Sequence, residues 1–302
     1  MDFLKKHFPK KNALLNQIFF YPEEELELHS LKNFPSQALG RPVQVELFLP
    51  PGHFSGKQAS YPTLWINDGQ DMEAVGMAAN LQRLYEEHKL PPIIVVAIHA
   101  GDRLQEYGTA GRPDYMGRGS KAHLYTRFLI GELMPELRRR YRIAPEAHRN
   151  AIAGFSLGGL SAFDIAWNHA QLFGCVGVFS GSLWWRSQAY TPEAPDAHRI
   201  THHIVEQGPR REGLRFWLQA GTKDEVEDRN NNGVIDAIDD TLALIKELKQ
   251  WGYGEGRHIK YVEVIGGEHN PATWRKVMPD FLRWAFGPLS ESRKDEAGRT
   301  AH

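Results

Sequence analysis

The chain of 302 residues has one cysteine, Cys175, a formal net charge of −1, and no apolar run approaching membrane-spanning length. Each shortage excludes something. A single thiol cannot build an internal disulfide framework, and its place in an apolar run reads as a buried, inert side chain. Near-zero net charge leaves no electrostatic footprint for nucleic acid, and neither charge nor hydropathy points to a membrane partner. The Arg138-Arg139-Arg140 run falls at a helix end, where cations are favourable, and reads as a solvated face. Met1-Asp2-Phe3-Leu4-Lys5-Lys6 leads into charge rather than into the apolar stretch of a signal peptide. A cytoplasmic address is the default expectation, with export left open for a trimmed chain. No repeat is visible, and the rest is ordinary globular composition, 41% hydrophobic and 24% charged.

The most informative stretch is Ala153-Gly154-Phe155-Ser156-Leu157-Gly158-Gly159. A short apolar run precedes it at 150–153, and 157–167 carries helix formers with apolar residues at helical spacing. The serine therefore falls on a turn between a buried strand and a helix. Glycines on both sides let the backbone turn sharply, lifting the Ser156 hydroxyl and freeing the Leu157 N–H to face an oxyanion. Partners follow in the order serine, acid, histidine that such an elbow needs. Asp224 leaves the carboxyl end of a strand expected at 214–220; His269 follows one expected at 258–265 and precedes an amphipathic helix at 272–286. His269 is the expected general base and Asp224 the acid that fixes its tautomer, with Glu225 and Glu227 as neighbouring competitors. A second oxyanion donor is expected from Asp68-Gly69-Gln70-Asp71 after a strand at 63–66, where glycine allows the Gln70 N–H to approach.

Strand-like runs at 43–49, 63–66, 93–98, 150–153, 175–179, 214–220 and 258–265 are separated mostly by helical segments. That alternation predicts an α/β fold, a doubly wound, mainly parallel sheet with helices on both faces. The alternating 43–49 run reads as antiparallel, and the continuously apolar 93–98 run as central. Residues 1–287 are expected to form a single domain, with 1–16 as a lead-in and polar 288–302 as a loose tail. The long polar segment 99–120 emerges at the carboxyl edge of a central strand, making Arg103, Tyr107 and Tyr115 candidate substrate contacts; Trp184, beside Trp185, is a candidate wall.

The motifs together resemble a known family. Leu39-Gly40-Arg41-Pro42, Leu49-Pro50-Pro51-Gly52, Asn67-Asp68-Gly69-Gln70, the Ser156 elbow, Gly221-Thr222-Lys223-Asp224, Gly267-Glu268-His269-Asn270 and Trp274 are similar to one esterase branch of the α/β-hydrolase superfamily. That branch includes esterase D, feruloyl esterase domains, enterochelin esterases and mycolyltransferases. The resemblance covers most of the chain and implies an α/β-hydrolase fold, Ser156 as nucleophile, Asp224 as acid, His269 as base, and oxyanion amides from Leu157 and Gln70. Esterase D members have His-Gly where this chain has Asp68-Gly69. That pair, with Ser180-Gly181-Ser182-Leu183-Trp184-Trp185, is more similar to the enterochelin-esterase side, although a siderophore substrate does not follow. The expected reaction is cleavage of a small-molecule or glycan-linked carboxylic ester through an acyl-enzyme, without an organic cofactor. An acyltransferase would use the same triad, and a calcium-binding, non-catalytic protein on a hydrolase scaffold is the more distant alternative.

Residues 228–239 fit a twelve-residue calcium loop. Asp228, Asn230, Asn232, Asp236 and Asp239 occupy the oxygen-bearing positions, Gly233 the turn, and Val234 the position that ligates through its carbonyl. A structural Ca2+ is expected there, close in sequence to Asp224.

Overall fold

The computed structural model describes residues 25–55 and 58–287. The expected lead-in at 1–16 and tail at 288–302 lie outside the described residues. One sheet runs in the order β1-β2-β4-β3-β5-β6-β7-β8. Its strands are β1 (Glu27–Ser36), β2 (Arg41–Leu49), β3 (Thr63–Asn67), β4 (Ile94–Ile98), β5 (Asn150–Phe155), β6 (Cys175–Phe179), β7 (Arg215–Lys223) and β8 (Ile259–Glu268). β2 is antiparallel to both its neighbours, as its alternating residues imply, and every pair from β4 through β8 is parallel.

The period of two divides each central strand between two cores. Ile94, Val96 and Ile98 enter one while Val95 and Ala97 enter the other; Trp65 of β3 faces the first, and Leu64 and Ile66 face the second. The second core is closed by α1 (Met77–Glu86) and α8 (Pro271–Phe286). The first is closed by α3 (Ala122–Phe128), α4 (Met134–Tyr141), α5 (Leu157–Asn168), α6 (Ile200–Gln207) and α7 (Asp236–Gln250), with the short α2 (Arg103–Glu106) beside α3. Every residue of α5 except Asn168 is buried. At about 1.5–3 kcal/mol for each large apolar side chain removed from water, this helix is a firm base for whatever stands at its first turn. Because β3, β5, β7 and β8 are parallel, Asp68, Ser156, Asp224 and His269 all emerge along one edge of the sheet.

Candidate active site

Ser156 turns the chain from β5 into α5 with φ 53° and ψ −119°. For a residue with a side chain this backbone is strained by about 1–3 kcal/mol, so the surroundings must enforce it. They do so by close approach. A Cβ on Gly154 would stand 2.3 Å from the Gly158 carbonyl oxygen, and one on Gly158 would stand 2.3 Å from Asp68 Oδ2. Strand, helix and the loop after β3 therefore meet more tightly than side chains would permit. The Ser156 N–H donates to Phe179 O at 2.8 Å, and its carbonyl accepts from the Ser182 N–H at 3.1 Å. Its hydroxyl lies 3.3 Å from the Ser182 hydroxyl.

The loop after β3 is fixed from behind. Asp68 has left-handed backbone, φ 60° and ψ 48°, and is fully buried. A buried carboxylate is costly unless paired, and here the pairing is forked: Arg103 Nε donates to Oδ1 at 2.8 Å and Nη2 to Oδ2 at 3.1 Å. Arg103 Nη2 also donates to Phe155 O at 3.1 Å, and Gln70 Nε2 to Asp68 Oδ1 at 3.0 Å. The Asp68 N–H donates to the Tyr107 hydroxyl at 3.0 Å. Tyr125 donates to Asn67 Oδ1 at 2.7 Å, and Asn67 Nδ2 donates to Gly158 O at 2.8 Å. Burial pushes both tyrosine hydroxyls up, so they act as neutral hydrogen-bonding groups.

These contacts correct one sequence assignment. Tyr107 has no exposed surface and lies behind the loop rather than against substrate; Arg103 holds Asp68 and Phe155 through Nε and Nη2 while its side chain stays about one-third exposed. The signal missed was the Asp68–Arg103 pair, whose members lie on different elements. Tyr115 is 49% exposed, and Trp184 is half-buried with the Arg118 guanidinium 5.0 Å from its ring centre. Both remain at the surface as substrate candidates. A separate cavity of about 570 Å³ is lined by Arg112, Ser187, His198, His202 and Glu247 and includes no residue of the expected triad.

Asp224, at the end of β7, is buried. Its Oδ2 accepts the Gly221 N–H at 2.9 Å, while its Oδ1 is buried without a partner. His269 stands between β8 and α8, where Asn270 caps the helix by accepting the Thr273 N–H at 3.0 Å. Its ring meets Trp274 edge-on with centroids 5.6 Å apart. Trp274 in turn stacks on Phe155 at 4.7 Å and donates Nε1–H to Ser180 Oγ at 3.0 Å, so the histidine loop rests on the residues flanking the elbow. Among the described residues His269 makes no hydrogen bond to Ser156 or Asp224. Desolvation lowers its pKa, Asp224 opposes that, and Arg103 adds to it. The net direction favours the neutral imidazole that a general base requires. Glu225 is a different case: burial first, then Asp236, Glu227 and Asp240, push its carboxyl up to about 7, against an opposing backbone hydrogen bond. Two of these neighbours, Asp236 and Asp240, are on α7.

The calcium assignment at 228–239 finds no support. Among the described residues no group of three or more His, Cys, Asp or Glu is placed to hold a metal ion. The loop's oxygens are engaged internally: Asp228 accepts the Asn232 and Gly233 N–H groups at 3.1 and 2.8 Å, and Asp239 Oδ2 accepts both Asn230 and Asn232 side-chain amides, at 2.7 and 2.8 Å. Asp236 pairs instead with Arg229 at 3.2 Å. The spacing signal was real, but it could not reveal that Arg229, inside the same loop, also forms ion pairs with Asp196 and Asp240. Val234 donates its N–H to Asn232 Oδ1 at 2.7 Å.

Comparison with known proteins bears on this edge of the sheet. The chain is similar to the iron(III) enterobactin esterase of Escherichia coli, 30% identical over 213 residues that make up 70% of this chain and 46% of that protein. It thus spans under half of that relative. It is 22% identical over 245 residues to an uncharacterized protein of Bacillus subtilis, covering 80% of this chain and 91% of that one. A solved ferulic acid esterase shares the fold with a TM-score of 0.67 at 18% identity, over 87% of this chain and 98% of that chain. Residues 36–285 match the model of the family described as "Putative esterase". That match runs from the last residue of β1 nearly to the end of α8 and takes in the whole edge on which these side chains stand; the chain belongs to this family of carboxylic-ester hydrolases.

Proposed function

We propose that the protein hydrolyses a carboxylic ester through an acyl-enzyme on Ser156. His269 takes the Ser156 proton as the hydroxyl oxygen attacks the ester carbonyl, and returns it to the departing alcohol. Asp224 receives the other imidazole N–H and steadies the imidazolium. The carbonyl oxygen, negatively charged in the tetrahedral intermediate, is stabilised by the Leu157 and Gln70 N–H groups. Water then enters by the same route, and the acid is released. No organic cofactor has a role in this scheme, and calcium takes no part in its chemistry.

The observation that carries this reading is the strained backbone of Ser156, held at φ 53° between a buried strand and a buried helix. Backbone strain of this kind clusters at active sites, where it is part of the mechanism. The unpartnered Asp224 Oδ1 adds to it, because an acceptor buried there awaits a donor such as the His269 ring N–H. The substrate is a small-molecule or glycan-linked ester. The half-buried Trp184 and the exposed Tyr115 are suited to an aromatic or flat group on either side of the ester.

The test is hydrolysis of a chromogenic acetate ester by Ser156→Ala, His269→Ala and the double variant. Each single change is expected to lower kcat by at least ~10³-fold, with the double variant hardly worse, because the pair acts as a unit. Additive losses, or activity retained by Ser156→Ala, would refute it.

A further inference from the structure

Ser182 is absent from the scheme above, yet its hydroxyl lies 3.3 Å from Ser156 Oγ. It follows β6 on the turn Ser180-Gly181-Ser182, which is tied to both halves of the site: the Ser182 N–H donates to Ser156 O at 3.1 Å, and Ser180 Oγ accepts from Trp274, against which His269 packs. Ser182 is 5% exposed, and Ser156 Oγ is the only partner of its hydroxyl among the described residues. A buried hydroxyl is unfavourable unless it is bonded, so an alanine would be the cheaper residue if packing were all that mattered.

We propose that Ser182 is a further catalytic residue, a hydroxyl that donates to Ser156 Oγ through the reaction. This rests on Ser156 being the nucleophile. Between two hydroxyls alone, either oxygen can be the donor. Once His269 accepts the Ser156 proton, only one sense remains, with Ser182 as donor and Ser156 Oγ as acceptor. That bond selects the Ser156 rotamer whose hydrogen points to the imidazole and leaves a lone pair for attack. It acts again in deacylation. Water adds to the acyl carbon and gives its proton to His269; the carbon–Oγ bond breaks with its electron pair going to Ser156 Oγ, which the Ser182 O–H stabilises until the imidazolium returns the proton. Atoms and charge balance without a further reactant.

The experiment compares wild type, Ser182→Ala, Ser182→Thr and Ser156→Ala in rapid-mixing assays with p-nitrophenyl acetate. The burst reports acylation, the steady state deacylation, and circular dichroism the folded fraction at assay temperature. For loss of one neutral hydrogen bond, Ser182→Ala is expected to slow both phases by about three- to tenfold, with KM changed less than about twofold. Ser182→Thr, which keeps the hydroxyl, is expected to recover most of the rate. A wild-type rate in Ser182→Ala overturns the proposal. So does equal loss in the alanine and threonine variants, or a loss confined to KM, since either would mark Ser182 as packing. The Ser156→Ala control separates the two readings: a burst that survives in it refutes the nucleophile assignment itself.

Discussion

Around Ser156, Asp68 binds Arg103 through both carboxylate oxygens, Arg103 reaches on to Phe155, and Asn67 joins Tyr125 to Gly158. Farther along the same sheet edge, Asp224 keeps one buried oxygen without a partner, and the His269 ring meets the edge of Trp274. On the proposed mechanism, the nucleophile half is therefore tied down before substrate arrives, while no hydrogen bond among the described residues joins His269 to Asp224. This division has a physical logic. Holding Ser156 in strained backbone demands a rigid frame, whereas proton transfer requires the imidazole to serve two oxygens in turn. Hydrogen bonds at such a base commonly tighten once substrate displaces water.

The largest expected effect tests the open half. If Asp224 closes onto His269, Asp224→Asn should lower kcat by ~10³- to 10⁴-fold through the wrong tautomer, while Glu225→Gln should cost no more than a few-fold. Steady-state hydrolysis of a chromogenic ester measures both. A crippled Glu225→Gln beside a mild Asp224→Asn would move the acid by one residue and leave the class of enzyme standing.

The assembled half should reveal itself in stability. Arg103→Met strands the buried Asp68 carboxylate, and breaking a buried pair from one side costs about 3–5 kcal/mol, roughly 10 °C in Tm for a chain of this size. His269→Ala, which breaks no hydrogen bond, should melt within about 2 °C of wild type. Calorimetry on the two variants decides the matter. Equal losses would mean that the two halves are equally built in, and the contrast drawn here would fail.

The same contrast explains what was legible in the sequence. β2 through β8 could be read because each carries a period-two or continuously apolar run, and Ser156, Asp224 and His269 are proposed because each follows such a run. β1 could not. Its segment, Glu-Leu-His-Ser-Leu-Lys-Asn-Phe-Pro-Ser, is polar, and as an edge strand it gains its place only by pairing with β2. Tyr107 was read as a substrate contact because a loop's chemistry is visible locally while its target is not. Its partner, the Asp68 N–H, lies 39 residues away in the turn after β3. The 228–239 loop misled for a related reason: oxygen spacing is local, but the ion pairs of Arg229 reach Asp196 and Asp240.

Titration sharpens the comparison further. Desolvation and Arg103 lower the pKa of His269 more than Asp224 raises it, so the acid limb of kcat/KM should have its midpoint below the ordinary histidine value of about 6.5. Arg103→Met, which removes one lowering influence, should shift that limb upward. Glu225 acts on stability rather than on rate. Its carboxyl, pushed up to about 7 in the folded protein, lies above the ordinary glutamate value of 4.5, so its contribution is present at low pH and is lost as pH rises through 7. Glu225→Gln should accordingly raise Tm at pH 8 relative to wild type and change it little at pH 4.5. An unchanged Tm difference across that range would remove Glu225 as a strained group.

The smallest expected effect concerns the loop beside the open half. A calcium ion at 228–239 would have to take Asp239 from the amides of Asn230 and Asn232 and Asp236 from Arg229, whose guanidinium already neutralises the acidic groups there. An ion bound only to the folded state and present at a hundredfold excess over its Kd would add about 2.7 kcal/mol, several degrees in Tm. Chelator and added Ca2+ are expected to leave Tm and kcat where they are, within about 1 °C and a few per cent of measurement scatter. Arg229→Ala, by contrast, leaves Asp240 with one of its two arginines and should lower Tm. If calcium raised Tm by several degrees, and more so in Arg229→Ala, the ion and the arginine would be competitors for the same carboxylates. The loop next to Asp224 would then be a switchable element of the acid–base half rather than a fixed one.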